Sequence, residues 1–159
     1  VCKKLVAHNP NLKIAIGLAP GIELNQNYEE ITFIENKDTQ KLLTASDILL
    51  TASGTATLEA AMLGIPMAVV YKLNIISWLL SKWLIKIDHI ALPNIIFNKS
   101  IVPEFIQSNA NPNEIINYVQ KLIDDKNFRE KTSTELHHIK SLLGEPGASD
   151  RAATTILGI

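Results

Sequence analysis

Apolar residues gather in short, nearly continuous runs at 12–18, 31–34, 48–50 and 67–71, and the segments between them carry apolar positions at helical spacing. Runs of that length with no polar alternation mark strands buried on both faces. Strands of this kind that alternate with helices predict a parallel α/β sheet. The expected elements begin with a helix over residues 1–8, closed by Asn9-Pro10-Asn11, and a strand over 12–18 interrupted only by Lys13 and Gly17. Ala19-Pro20-Gly21 opens a loop at the carboxyl end of that strand, and a strand at 31–34 and a helix at 37–44 follow. Further on, the pattern predicts a helix over 101–107 with Pro103 in its first turn, a helix from Pro112 to about residue 124, and another over 127–143. Gly144-Glu145-Pro146-Gly147 reads as a hinge, and 148–157 as a last helix with Ser149 as its cap. The expected organisation is therefore a Rossmann-like domain over 1–143, a parallel sheet flanked by helices, with a hinge and C-terminal helix over 144–159.

The unit that organises the chain runs from Asp47 to Val70. Ile48, Leu49 and Leu50 form a buried strand, and Thr51-Ala52-Ser53-Gly54-Thr55 breaks it with residues too small to obstruct a ligand. A helix follows through Leu58, Glu59, Ala60, Ala61, Met62 and Leu63, and Gly64 with Pro66 two residues later stops it. A turn at the carboxyl end of a strand is where open parallel sheets bind ligands. A helix starting beside Gly54 leaves its first amides without intrahelical partners, and together with the helix dipole these suit a phosphate or diphosphate. Ser53 and Thr55 can add hydroxyls. Glu59 lies about one turn further on, where its carboxylate can reach back to a pair of sugar hydroxyls. The plainer alternative is an ordinary N-cap, with Ser53 or Thr55 satisfying the orphan amides and Glu59 solvated; it uses the same groups.

Residues 73–87 are unusually apolar. Ile76, Leu80, Trp83 and Ile87 share one helical face, while Trp78 and Ile85 fall nearly opposite. The run is short and carries Lys82 and Lys86, which argues against a transmembrane span. It fits either a helix buried between the sheet and another element, or a surface helix whose Trp78, Leu79 and Trp83 touch lipid or an acyl chain. Leu92-Pro93-Asn94 reads as a bend exposing one polar side chain, Asn94, toward a cleft, although a turn-forming Asn is an equally plain account.

Composition narrows these readings without changing them. With 159 residues, 47% hydrophobic and 19% charged, the chain can bury a core and is not a disordered sequence. A net charge of -1 gives no global attraction to nucleic acid. One cysteine, Cys2, forms no internal disulfide, which fits a reducing compartment. His8, His89, His137 and His138 have no metal-ligand spacing, so neither a metal nor another cofactor is expected, and there is no nucleophile elbow or Walker loop.

Taken together, Ala52-Ser53-Gly54-Thr55-Ala56-Thr57-Leu58-Glu59, Gly64-Ile65-Pro66-Met67, Tyr71-Lys72, the tryptophan helix, Leu92-Pro93-Asn94, Val102-Pro103-Glu104 and Gly147-Ala148-Ser149-Asp150-Arg151-Ala152-Ala153 resemble the C-terminal half of the lipid-A-disaccharide synthase family. These are inverting glycosyltransferases of the two-domain GT-B architecture. The resemblance implies a chain that binds UDP-2,3-diacylglucosamine, whose sugar is transferred to 2,3-diacylglucosamine 1-phosphate (lipid X) with release of UDP. It implies that Ser53, Gly54 and Thr55 hold the diphosphate and Glu59 the ribose, that Asn94 lines the cleft, and that Tyr71 and Lys72 face it. It also implies a cytoplasmic protein peripherally associated with the inner membrane of a Gram-negative-type bacterium.

The family's Pro-Gly-Ser-Arg loop and its acidic base are expected upstream of Val1, so no residue here is assigned as the base and the chain by itself is expected to be inactive. The helix after Gly147 is the segment through which a homodimer would form. Another GT-B UDP-sugar transferase or an epimerase would keep residues 53–59 without needing the tryptophan helix. A non-catalytic UDP-binding module would keep the same residues.

Overall fold

A computed structural model describes residues 1–18, 21–22, 30–34, 39–72 and 89–158. Among the described residues, five strands pair in parallel in two sheets. β1 (Ile14–Gly17) pairs with β2 (Ile31–Ile34). β4 (Met67–Tyr71) lies between β3 (Leu49–Thr51) and β5 (Glu104–Ile106). The central strand carries the heaviest burial: Met67, Ala68 and Val69 are inaccessible to solvent, as expected of a strand covered on both faces. The α/β parallel architecture read from the sequence is therefore the observed one.

Helices cover the ladders. α1 (Cys2–His8) ends at Asn9, whose side-chain amide donates to Leu5 O at 3.1 Å and to Gln120 Oε1 at 2.8 Å. α2 (Thr39–Thr44) lies in the predicted 37–44 segment, and α3 (Thr55–Met62) follows β3 directly. The end of α3 is a paired C-cap with Gly64 at φ 69. Gly64 N–H donates to Ala61 O and Ile65 N–H to Ala60 O, both at 2.9 Å, which satisfies carbonyls the helix itself leaves open. The stop signal expected at Gly64 thus has a defined geometry. One side of α3 presents Thr57, Ala60 and Ala61 to the core, with α4 (Leu92–Phe97), α6 (Lys126–His137) and α7 (Ile139–Leu143) packed around it.

α5 (Pro112–Asp124) starts at its proline, and Asn111 Oδ1 accepts from Asn113 N–H at 2.9 Å. Its buried Ile115, Val119 and Leu122 fall on one face. Asp125 closes α5 and opens α6, accepting from Phe128 N–H at 2.9 Å, and Arg129 Nη1 reaches back to Leu122 O at 2.9 Å.

Several expectations need correcting. The predicted helix over 101–107 is instead strand β5 followed by a 3-10 turn, Gln107–Asn109. Pro103 has no N–H to give, but its carbonyl accepts from Val69 N–H at 3.0 Å and leads the chain into the ladder with β4, so long-range pairing overrides the local helical pattern. Residues 92–97 are not a bend but α4, with Pro93 in a first turn where its missing donor costs nothing, closed by Asn98 at φ 51. The helix expected over 127–143 is interrupted at His138, between α6 and α7; there Ser141 N–H and Oγ both donate to His138 O. The last helix, α8 (Ala148–Leu157), has Gly147 at its N-cap with no side-chain cap, so Ser149 lies inside the helix. None of the residues of α8 is buried. Ala19, Pro20, Trp78, Leu79 and Trp83 lie outside the described residues.

Candidate functional site

The carboxyl ends of β3, β4 and β5 form one rim. In the ladder Thr51 aligns with Val69 and Val69 with Glu104, so Tyr71 and Lys72 extend two and three residues beyond the level at which β3 turns into its loop. Ala52, Ser53 and Gly54 occupy that loop and deliver the chain into α3. Tyr71 is half-buried and Lys72 exposed at the same rim.

Gly54 has φ 155 and ψ -170, a conformation essentially restricted to glycine, and among the described residues no atom beyond its two chain neighbours lies within 4 Å of where its Cβ would be. The glycine is therefore required by the backbone, and no other described residue crowds it. No side chain caps α3. Thr57 instead turns both its N–H (3.1 Å) and its Oγ1 (2.6 Å) back onto Gly54 O. The amides of Thr55 and Ala56 have no partner among the described residues. Among the described residues, no side chain accepts a hydrogen bond from either amide.

Thr55 and Glu59 are four residues apart and both exposed, on the side of α3 away from Thr57, Ala60 and Ala61. Helical side chains lean toward the N-terminus, so this placement inclines the Glu59 carboxylate toward the open amides. Ser53 is engaged differently: its Oγ donates to Ile90 O at 2.8 Å.

Asn94 does not line a cleft. It is fully buried, and all its hydrogen-bonding capacity is taken by its own chain: Nδ2 donates to Val102 O and to Glu104 Oε1, both at 2.8 Å, and Oδ1 accepts from Ile101 N–H at 2.8 Å and Val102 N–H at 3.0 Å. The residue that sequence reasoning passed over is Glu104. With only 9% of its side chain exposed, it accepts from Ile90 N–H at 2.9 Å and Ala91 N–H at 3.0 Å as well as from Asn94, with His89 Nδ1 3.8 Å away. The available signal was an acidic residue placed in an apolar strand.

Two surface clefts lie elsewhere. One, of about 330 Å³, is bounded by Asp47, Gly64, Pro66 and Arg129 at the opposite end of β3 and β4. The other, of about 450 Å³, lies between Phe97, Lys99 and α6. Neither includes the Ser53–Glu59 segment. Among the described residues, no three His, Cys, Asp or Glu side chains could hold a metal ion, and no helix is long and apolar enough to cross a membrane.

The family model described as lipid-A-disaccharide synthetase matches residues 5–156. The chain belongs to the lipid-A-disaccharide synthase family. It is 34% identical to the lipid-A-disaccharide synthase of Anaeromyxobacter dehalogenans strain 2CP-1 over 99% of this chain and 43% of that protein. It is 41% identical to the synthase of Syntrophus aciditrophicus over 75% of this chain and 31% of that protein. For the synthase of Nitrosococcus oceani the identity is 40%, over 72% and 30%. The chain thus spans less than half the length of the lipid-A-disaccharide synthases it matches, and the open helix start beside Gly54 lies within the matched region.

Proposed function

We propose that this chain is the nucleotide-sugar-binding half of a lipid-A-disaccharide synthase, an inverting glycosyltransferase that moves 2,3-diacylglucosamine from its UDP donor to lipid X. The observation that carries the reading is the uncapped start of α3, where, among the described residues, nothing crowds Gly54 and two amides lack partners. The diphosphate of the donor lies against the amides of Thr55 and Ala56 and the Thr55 hydroxyl, with Ser53 holding the loop. Glu59 accepts from the ribose hydroxyls, a task suited to a carboxylate and unsuited to a neutral cap. Tyr71 and Lys72 border the same ligand from the neighbouring strand end.

Transfer releases UDP, and negative charge grows on its phosphate as the glycosidic bond breaks. Donors fixed before the reaction stabilise that charge without reorganising, and loss of one such donor costs about a hundred- to a thousandfold in rate. The general base belongs to the other half of a GT-B enzyme, so this chain alone binds UDP and does not turn over. Trp78, Leu79 and Trp83 serve the acyl chains of the substrates at the inner-membrane surface, which suits donor and acceptor molecules that are themselves lipids.

Calorimetric titration of the chain with UDP tests the site. Glu59→Ala weakens UDP binding about tenfold, the effect of losing charge-assisted hydrogen bonds worth about 1.5 kcal/mol. Unchanged affinity would remove Glu59 from the site, and no binding by the unaltered chain would remove the site itself.

A further inference from the structure

Glu104 lies on β5, yet among the described residues every donor to its carboxylate belongs to the segment that leads into and opens α4: Ile90 N–H, Ala91 N–H and the Asn94 side chain. A carboxylate with its two oxygens engaged by three donors, and nine-tenths buried, fixes the position of that segment closely. Ile90 is the pivot. Its N–H donates to Glu104 Oε2 at 2.9 Å, and its carbonyl accepts from Ser53 Oγ at 2.8 Å. The chain of contacts therefore runs from the third strand of the sheet, through one residue, to the side chain immediately before Gly54.

We infer that Glu104 is a positioning residue for the diphosphate site: it holds the Ile90 carbonyl where Ser53 must meet it, and so sets the direction of the amides at the start of α3. The inference rests on the proposed nucleotide site and adds to it a group that does not touch the ligand. Two features support a role beyond simple packing. An apolar side chain would cover this part of β5 without needing three donors, and removing the charge alone breaks only one link. In Glu104→Gln one oxygen still accepts from Ala91 N–H and Asn94, while the new amide group faces the Ile90 N–H donor to donor.

The experiment is a double-mutant cycle on UDP binding in the full chain, using Glu104→Gln, Ser53→Ala and the pair, with thermal unfolding and amide spectra recorded on each. Each single variant weakens UDP binding about tenfold while the fold is retained, and the pair is no weaker than either alone, because both cut the same path. Additive losses, about a hundredfold in the pair, overturn the inference, as does unchanged UDP affinity in Glu104→Gln with only a lowered unfolding temperature.

If the unaltered chain binds no UDP, the nucleotide reading fails, and the spectra still decide the linkage. Glu104→Gln then shifts the Ser53 and Gly54 amide resonances together with that of Ile90. Shifts confined to residues 89–94 and 104 overturn it.

Discussion

The Ser53 hydroxyl donates to the carbonyl of Ile90, 37 residues away in sequence, at 2.8 Å. A serine has one proton to give, and here it joins the β3–α3 loop to the segment before α4. The donors left facing the open space are backbone amides and the Thr55 hydroxyl. Ser53→Ala lowers stability by about 1 kcal/mol, the net worth of one partly buried hydrogen bond. Urea unfolding measures it as a lower midpoint with an unchanged slope.

Gly54→Ala meets no atom of the other described residues but forces a side chain into φ 155. The strain amounts to about 1–3 kcal/mol, relieved either by unfolding at lower denaturant or by a shift of the loop. At the nucleotide site proposed for this turn, UDP affinity falls in both cases, and calorimetry paired with urea unfolding separates the two routes.

Asn94→Leu leaves the amides of Ile101 and Val102, the Val102 carbonyl and one Glu104 contact without their partner. Stability drops by about 3 kcal/mol, since each buried unsatisfied group costs about 1–3 kcal/mol and water recovers part of it. Asn94→Asp is close in shape but places an acceptor against Glu104 and Val102 O. It is at least as destabilising, and a midpoint equal to that of the unaltered chain would contradict the bonding described for this residue.

Gly64 carries φ 69, and a Cβ there would lie 2.5 Å from the His137 ring. Gly64→Ala therefore suffers both left-handed strain and a clash, for a loss of about 1–2 kcal/mol. Adding His137→Ala removes only the clash, so the double variant regains part of the stability and not all of it. Thermal unfolding of the three proteins checks the partition.

Tyr118 packs edge-on against Phe105 at 6.4 Å and Phe128 at 6.2 Å between ring centroids, and burial pushes its phenol up from 10.0 to about 12. A raised folded-state value means the native state keeps a proton that the unfolded chain releases. Stability is therefore intact below pH 10 and falls as pH rises from about 10 to about 12. Tyr118→Phe lacks this component of the fall, which urea unfolding at pH 9 and pH 11 detects as a smaller difference between the two conditions.

How much of this was legible in the sequence depends on the range of the interactions that decide each element. The strand–loop–helix–strand unit around Gly54 follows from local rules: an apolar run, small residues, a helical pattern and a glycine-closed stop. The same holds for the start of α5 at Pro112. β5 was misread as helix because Glu104, Phe105 and Ile106 become a strand only by pairing with Val69, Val70 and Tyr71. Asn94 was misjudged for a related reason. A Pro-Asn pair signals a polar side chain, but its partners, the backbone of 101–102 and Glu104, arrive only when the chain folds back. Glu104 itself stood inside a recognised motif with no role attached, since its value lies in contacts made 10 to 14 residues earlier. The open start of α3 was foreseeable; that Ser53 would turn away from it toward Ile90 was not.

The parallel run of β3, β4 and β5 has an architectural consequence. Tyr71 leaves the sheet at the rim where Ile90 and Ala91 are tied down, so both ends of the intervening connection are anchored at the same edge. The chain thus leaves the sheet from β4 and is moored on its return by a side chain of β5, the strand still to come.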